Sequence, residues 1–462
     1  MADTARLVDA RLAEALPGSM VYAVGGRVRD EIRTSLDGVA RPAKDLDYVV
    51  TGISLGDLTE RLRRLGPASV VGASFAVVKA TVDGVVVDVA VPRRERSTGL
   101  GHRDFTVEAG PDISLEDDLA RRDFRMNMMA RSVADGRLVD PYGGEADIRA
   151  GRIDVLQPDA FSEDPLRMLR AAQFAARFEF EPSALTWERM GASAALVATV
   201  SAERVRDELL KLFSAKRPSI GLEVLRRSGV LAWVLPELLE GLGVEQNEFH
   251  AYDVYHHNLT TLDAAAGPWQ LRLAALLHDV GKPRTKDGPH FYRHDVVGEA
   301  MARDVAGRLR LPKDDAELVA SLVRRHMYAT DDALSDGAVR RFIRRVGPER
   351  VELQFALRHA DIAGSGLPKR DDGNERFEAR VRSEMAAERP FSAGDLAVDG
   401  NDVLLALERA RRIAKGSRGG PAVGQILSRL LEDALDDPET NERSAQLRRI
   451  EALVEDLGPS KP

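Results

Sequence analysis

One stretch constrains this chain more than any other: residues 21–52, VYAVGGRVRDEIRTSLDGVARPAKDLDYVVTG. A β-branched and aromatic run breaks at Gly25-Gly26 and continues into Arg27-Val28-Arg29-Asp30, which spells strand, glycine turn, helix start. Such a turn lets backbone N–H groups and a helix N-terminus face an anion, with Gly26 in the turn and Arg29 placed to clamp the charge. Further on, Lys44-Asp45-Leu46-Asp47-Tyr48-Val49-Val50 is predicted as a strand. Alternate residues of a strand share a face, so Asp45 and Asp47 project together while Leu46 and Tyr48 turn the other way. Paired carboxylates beside an anion-holding turn suit Mg²⁺, which takes hard oxygen ligands and shares its shell with phosphates. An Asp-x-Asp alone is often a solvated strand edge. Its pairing with the Gly-Gly-x-x-Arg-Asp turn is what points to a metal.

At 462 residues the chain exceeds one ordinary core, which predicts about three to four domains or subdomains. Hydrophobic content of 44% and charged content of 30% describe a globular protein, and no run approaches the roughly 20 apolar residues of a membrane helix. The N-terminal MADTARLVDARLAEALPG reads as an amphipathic helix rather than a signal peptide. Cysteine is absent, which excludes disulfides and thiolate chemistry and fits a cytoplasmic protein. Lys+Arg 66 against Asp+Glu 74 leaves −8, so any polynucleotide must be held by local patches rather than by a global basic field.

From Val21 to about Pro92 the pattern is α/β. The segments Val70–Val82 and Val85–Ala90 are predicted to pair around an Asp83-Gly84 turn, with Asp88 as a candidate third carboxylate beside the Asp45/Asp47 strand. Residues 93–115 carry turn residues and charge without a period and are predicted as a mobile loop. A helix is predicted over Asp118–Ala130, with Arg122, Asp123 and Asn127 as its polar features. From Phe161 to Phe178 a capped apolar period predicts another helix, placing Asp164 and Arg167 on one face. An intrahelical salt bridge accounts for such a pair equally simply. Chemically, a carboxylate accepts from an exocyclic amine while a guanidinium donates to a ring nitrogen or carbonyl, the edge that cytosine and adenine share and uracil and guanine lack. A second constellation follows: His257, His278-Asp279, His294, His326 and Asp361. Histidine and aspartate spread over apolar helices suit one or two divalent metals.

Taken together, the Gly-Gly-x-x-Arg-Asp turn, Asp45-x-Asp47, Arg121-Arg122-Asp123-Phe124 and Glu163-Asp164-Pro165-Leu166-Arg167 resemble the class II tRNA nucleotidyltransferase and poly(A) polymerase family. The string Leu276-Leu277-His278-Asp279-Val280-Gly281-Lys282-Pro283 resembles the HD phosphohydrolase domain, fused here as in many bacterial CCA-adding enzymes. The resemblance implies an α+β fold: a polymerase-β-like nucleotidyltransferase head with a small mixed sheet (1–155), an all-α neck (156–245), an HD helical domain (246–388) and a helical tail (389–462). It implies addition or repair of the 3′-terminal CCA of tRNA from CTP and ATP without a template. Asp45 and Asp47 would be catalytic and hold Mg²⁺. Gly26, Arg29, Arg122 on a phosphate, Asp123 on a ribose hydroxyl, Asp164, Arg167 and Arg170 would bind the nucleotide. At the HD site, His257, His278, Asp279 and Asp361 fit the ligands of a divalent transition metal or Mg²⁺, and His294 and His326 fit positions used by two-metal versions. Two departures stand out: Arg125 replaces the usual Thr, and Gln173 stands where relatives generally have Arg. Close alternatives are a CC- or A-adding enzyme and a poly(A) polymerase, the latter disfavoured by the absence of clustered basic residues in Gly72–Val78. From another class comes a metal phosphohydrolase whose head only binds RNA, or an HD region that serves as a helical tRNA platform.

Overall fold

The computed structural model describes residues 2–41, 45–71, 76–97, 105–368, 373–387 and 389–456. Lys44, Gly72–Phe75 and part of the predicted 93–115 loop therefore lie outside the described residues. The chain forms two compact units, Met1–Leu239 with Val305–Leu311, and Glu240–Asp304 with Pro312–Pro462.

The first unit opens with α1 (Ala2–Ala15), β1 (Met20–Val24), α2 (Gly26–Asp37), β2 (Asp47–Thr51), α3 (Leu55–Arg63), β3 (Ala68–Val71), β4 (Val77–Val82) and β5 (Val85–Ala90). It continues through β6 (Arg93–Ser97), β7 (Phe105–Ala109), α4 (Leu115–Ala120), β8 (Ala130–Ser132), β9 (Leu138–Val139), α5 (Gly144–Arg149) and β10 (Arg152–Ile153). The main sheet has the order β3-β4-β5-β2-β1-β8-β9. Among the described residues of this sheet only β2 and β5 run parallel, and they place Asp47 opposite Asp88; the β4–β5 hairpin turns at Asp83-Gly84 as expected. Val49 shares its sheet face with Asp47 and packs with Tyr22, Val24, Leu115 and Leu119. Thus α4 covers the Asp47 face and delivers the following Arg122 to it. On the other face the Tyr48 hydroxyl donates to Asp9 at 2.6 Å and Arg27 bridges both, fastening α1 and α2 to the strand.

Three local expectations change. The 93–115 stretch is not a plain loop: β6 and β7 pair antiparallel from Arg93↔Ala109 to Ser97↔Phe105. Asp118–Ala130 is not one helix but the end of α4, a 3₁₀ turn at Arg125–Asn127 and the start of β8. Asp45 lies in a bend before β2 rather than on the strand.

The helical part follows with α6 (Ala160–Glu163), α7 (Leu166–Phe178), β11 (Glu181–Pro182), α8 (Ala184–Ser193), α9 (Ala202–Phe213), α10 (Pro218–Arg227), α11 (Leu231–Val234) and α12 (Pro236–Leu239). Asp164 and Arg167 do not share a helix face. Pro165 separates α6 from α7, and Asp164 is extended at φ −135°, ψ 93°.

The second unit carries α13 (Val254–Ala264), α14 (Trp269–Leu277), β12 (Lys286–Asp287), β13 (His290–Phe291), most of α15 (His294–Arg308), α16 (Lys313–Arg325), α17 (Asp336–Val346), α18 (Val351–Gly364) and α19 (Asn374–Ala386). The apolar α14 is its centre, with Leu271 and Leu273–Leu277 all buried. Last come α20 (Gly400–Arg409), α21 (Pro421–Asp436) and α22 (Arg443–Asp456), closed around Val403, Leu407, Leu430, Leu431 and Ile450. Arg340 is buried, pairs with Glu384 at 2.6 Å and donates to the Leu435 carbonyl at the end of α21.

Candidate functional site

In the first unit, one cavity of about 1090 Å³ is lined by Gly26, Arg29, Asp45, Asp47, Arg122, Asp123, Asp164, Arg167 and Arg170. The nucleotide-binding and Asp45/Asp47 residues singled out from the sequence therefore meet in one place, whereas Asp88 stands in register with Asp47 on β5 without lining the cavity. At its β end, Gly25 has φ 71°, ψ −137°, a region that favours glycine. A Cβ there would make ordinary contacts with Arg122 Nη1 at 3.4 Å and Asp47 Oδ2 at 3.7 Å, so it is the backbone angle, not space, that calls for glycine beside these two side chains. Burial pushes the Asp47 carboxyl up; Arg122 opposes this, while Asp88 and Asp45 add to it. Asp45 and Asp88 thus add negative charge at Asp47 that Arg122 only partly offsets, a field that a divalent cation would relieve. Asp88 also reaches Lys79 at 3.7 Å.

The helical wall is a polar chain across an apolar scaffold. Arg29 donates to Asn127 at 2.8 Å, Asn127 donates to Asp123 at 2.8 Å, and Arg170 clasps Asp123 at 2.6 and 2.9 Å. Burial works against ionised Asp123, but Arg170, with Asn127, holds its carboxyl below the usual range. Arg167 donates to the Arg121 carbonyl at 2.9 Å, and Asp164 faces Arg204 at 3.4 Å rather than pairing with Arg167. The two side chains of the supposed salt bridge are thus directed into the cavity rather than at each other. The departures are accommodated: Arg125 forks onto buried Asp147 at 2.7 and 2.8 Å, and Gln173 lines the cavity.

Sequence reading missed Arg33 and Arg177, which also line the cavity and flank the Phe178 ring at 4.3 and 5.1 Å. Their signal was present. Gly26, Arg29, Asp30 and Arg33 follow helical spacing on α2, as do Arg167, Arg170, Phe174 and Arg177 on α7.

The second unit gathers its histidines and aspartates around buried Asp279. His257 Nε2 lies 3.1 Å from Asp361 Oδ1 and 3.1 Å from His278 Nε2. His278 Nε2 lies 3.3 Å from Asp279 Oδ2, while His294 and His326 both approach Asp279 Oδ1 at 3.5 Å. Each Nδ1 faces a backbone carbonyl: Gly364 for His257, Ala275 for His278, Phe291 for His294 and Val323 for His326. With Nδ1–H donating outward, each Nε2 lone pair points inward, the tautomer a metal requires. Donors about 2.0–2.2 Å from one ion stand roughly 3–3.5 Å apart, which is the spacing found here. Three overlapping groups of ligand atoms fit within 4.8 Å: His257–His278–Asp361, Asp279–His294–His326 and His250–His257–Asp279. Burial alone would push the His278 imidazole down, while Asp279 and Asp361 raise it, a field that favours positive charge at this centre. His250 and Lys282 were missed; Lys282 Nζ contacts Asp279 Oδ2 at 2.5 Å.

A mixed-sheet head with a Gly-Gly turn beside carboxylates, followed by helices and a His/Asp helical centre, defines a polymerase-type head with an HD-type unit. Family models agree: the Poly A polymerase head domain matches residues 21–154, the probable RNA and SrmB-binding site of polymerase A matches 178–242, and the HD domain matches 257–362. The Multifunctional CCA protein of Nitrosococcus oceani is 37% identical over 81% of this chain and 93% of its own, and that of Cupriavidus taiwanensis is 38% identical over 73% and 81%. The fold matches the Bacillus stearothermophilus CCA-adding enzyme solved with CTP, with a TM-score of 0.69, 23% identity and coverage of 98% and 96%. It also matches the Thermotoga maritima CCA-adding enzyme complexed with tRNA_CCA, with a TM-score of 0.57, 22% identity and coverage of 97% and 94%. The chain belongs to the class II tRNA nucleotidyltransferase family, among the multifunctional CCA proteins that carry an HD domain. Both domain types imply a divalent metal. Among the described residues no helix is long and apolar enough to cross a membrane.

Proposed function

We propose that this protein, acting in the cytoplasm, completes or repairs the 3′-terminal CCA of tRNA from CTP and ATP. The observation that carries this reading is the single cavity uniting Asp45, Asp47, Gly26 and Arg29 with Asp123, Asp164, Arg167 and Arg170. Asp45 and Asp47 hold Mg²⁺, and Asp88, in register with Asp47, completes the acidic face. Held by these carboxylates, Mg²⁺ would supply positive charge to the triphosphate and to the primer 3′-hydroxyl, lowering the pKa of the proton that the hydroxyl gives up to solvent. The primer oxygen attacks the α-phosphorus, a new phosphodiester forms, and pyrophosphate leaves. Gly26, at the start of α2, with Arg29 and Arg122, faces the phosphates. Asp123 is aligned for a ribose hydroxyl by Arg170 and Asn127. Asp164 accepts from the exocyclic amine of C or A while Arg167 donates to the neighbouring acceptor, which rejects U and G. The working division is head 1–155, neck 156–245, HD domain 246–388 and tail 389–462.

The test supplies each NTP separately to tRNAs lacking CCA, CA or the final A. Addition of C, C and A followed by a stop is expected. Unlimited A addition would make the protein a poly(A) polymerase, and incorporation of only C or only A would make it a partial enzyme.

A second activity is favoured by the four inward-facing Nε2 atoms. His257, His278, Asp279 and Asp361 hold one divalent transition metal or Mg²⁺, and Asp279, His294 and His326 suit another. Such a metal lowers the pKa of bound water and thereby supports phosphoester hydrolysis. The substrates that fit are 2′,3′-cyclic and terminal phosphates of damaged RNA ends, whose removal restores a 3′-hydroxyl for the head. Hydrolysis of a 2′,3′-cyclic nucleotide by wild type but not by His278→Ala tests this reading.

A further inference from the structure

The HD centre forms the floor of a cavity of about 560 Å³ whose other walls carry chemistry that metal ligation does not use. Arg358 stands one helical turn before Asp361 on α18 and lines this cavity. Its Nη1 is 3.9 Å from Asp361 Oδ2, its guanidinium lies 5.7 Å from the Tyr328 ring centre, and its Nε is buried without a hydrogen-bond partner. Among the described residues Arg358 makes no hydrogen bond. Lys282 differs, since its ammonium is already committed to Asp279 at 2.5 Å and to Gln246 at 2.6 Å. The Arg358 side chain keeps 20% of its surface exposed and, apart from the long 3.9 Å approach to Asp361, its terminal nitrogens are uncommitted, so its planar fork is available to a phosphate.

The rim is of another character. Phe249 is 55% exposed and Met327 is 56% exposed, and both line the cavity with Phe291 and Leu367. An exposed aromatic face beside a phosphate-binding floor suits a flat base, because stacking removes apolar surface from water at no hydrogen-bonding cost. A bare phosphate would leave this wall unused. The volume is that of a site for one small ligand rather than for a duplex.

Resting on the phosphohydrolase reading above, we infer that this cavity binds a single 3′-terminal nucleotide, its phosphate on Arg358 and its base on Phe249.

The test is calorimetric titration of the full-length protein loaded with Mn²⁺, using inorganic phosphate and uridine 3′-monophosphate. Uridine is chosen because the head is expected to reject it. Metal content of each variant is measured alongside. Arg358→Ala should retain its metal and bind both ligands about tenfold more weakly. Phe249→Ala, a substitution at an exposed position, should weaken nucleotide binding roughly five- to tenfold and leave phosphate binding unchanged. Wild-type binding and hydrolysis with an Arg358→Ala protein equal to it would overturn the inference while sparing the hydrolase reading. An equal loss of both ligands in Phe249→Ala would overturn the base platform. A wild-type protein that neither binds nor hydrolyses would remove both.

Discussion

Asp47 sits at the first position of β2, half-buried, with Asp88 opposite it and Arg122 beside it. A cation bound between these carboxylates, as proposed, would offset its burial penalty. Asp47→Ala should abolish nucleotide transfer while leaving tRNA affinity nearly intact, since tRNA is held through backbone and shape contacts elsewhere. Filter binding beside an extension assay separates the two, and a parallel loss of binding would make the carboxylate structural. If the proposed base-edge readout holds, Arg167→Ala or Asp164→Ala should erode discrimination against UTP and GTP, because each would remove half of it. Two well-placed hydrogen bonds discriminate by roughly 1–3 kcal/mol. Competition between CTP and UTP measures the change, and unaltered selectivity would reduce both residues to scaffold. At Arg125 the stakes are stability. Arg125→Ala leaves fully buried Asp147 with Arg152 as its remaining partner, at 2.8 Å, and should cost about 1–3 kcal/mol in urea unfolding.

At the scale of elements, the Gly25 turn joins strand to helix at a φ that a Cβ strains. Gly25→Ala should lower activity more than a surface substitution does, because an L side chain strains the φ of +71° there and relaxing it moves the turn that carries Gly26. A normal turnover rate in that variant would show the turn to be tolerant. Elements were unevenly legible. The Asp83-Gly84 hairpin was plain because apolar alternation and turn chemistry agreed. The β6–β7 pair was not, because Arg93-Arg94-Glu95-Arg96-Ser97 has no apolar alternation to betray a strand. Likewise, the capping residues before α7 were read as part of it, whereas Pro165 divides that stretch into two helices.

Across the whole molecule, the two proposed chemistries fall in different compact units. Chelation should therefore shift the melting of the HD-containing unit, and added Mn²⁺ should restore it, since a ligand that binds only the folded state stabilises it. His278→Ala should abolish that response and hydrolysis of 2′,3′-cyclic nucleotides while sparing CCA addition. Differential scanning calorimetry with and without metal checks the first, and paired assays check the second. A His278→Ala protein that still melts higher with Mn²⁺ would place the metal elsewhere.

Short-range chemistry in the sequence by itself determined the family, the head-to-HD order and the residue types of both centres. Glycine at a strained turn, alternating aspartates and a His-Asp pair in an apolar helix act within a few residues of one another. Only tertiary structure decided that Asp88 faces Asp47, that Asp123 is aligned by Arg170 and Asn127, and that Asp279 lies between two histidine pairs. Those contacts join segments tens of residues apart, and no local period encodes them. Arg358 illustrates the same limit: its place was visible three residues before Asp361, but its unspent hydrogen-bonding capacity emerged only once the surrounding helices had packed.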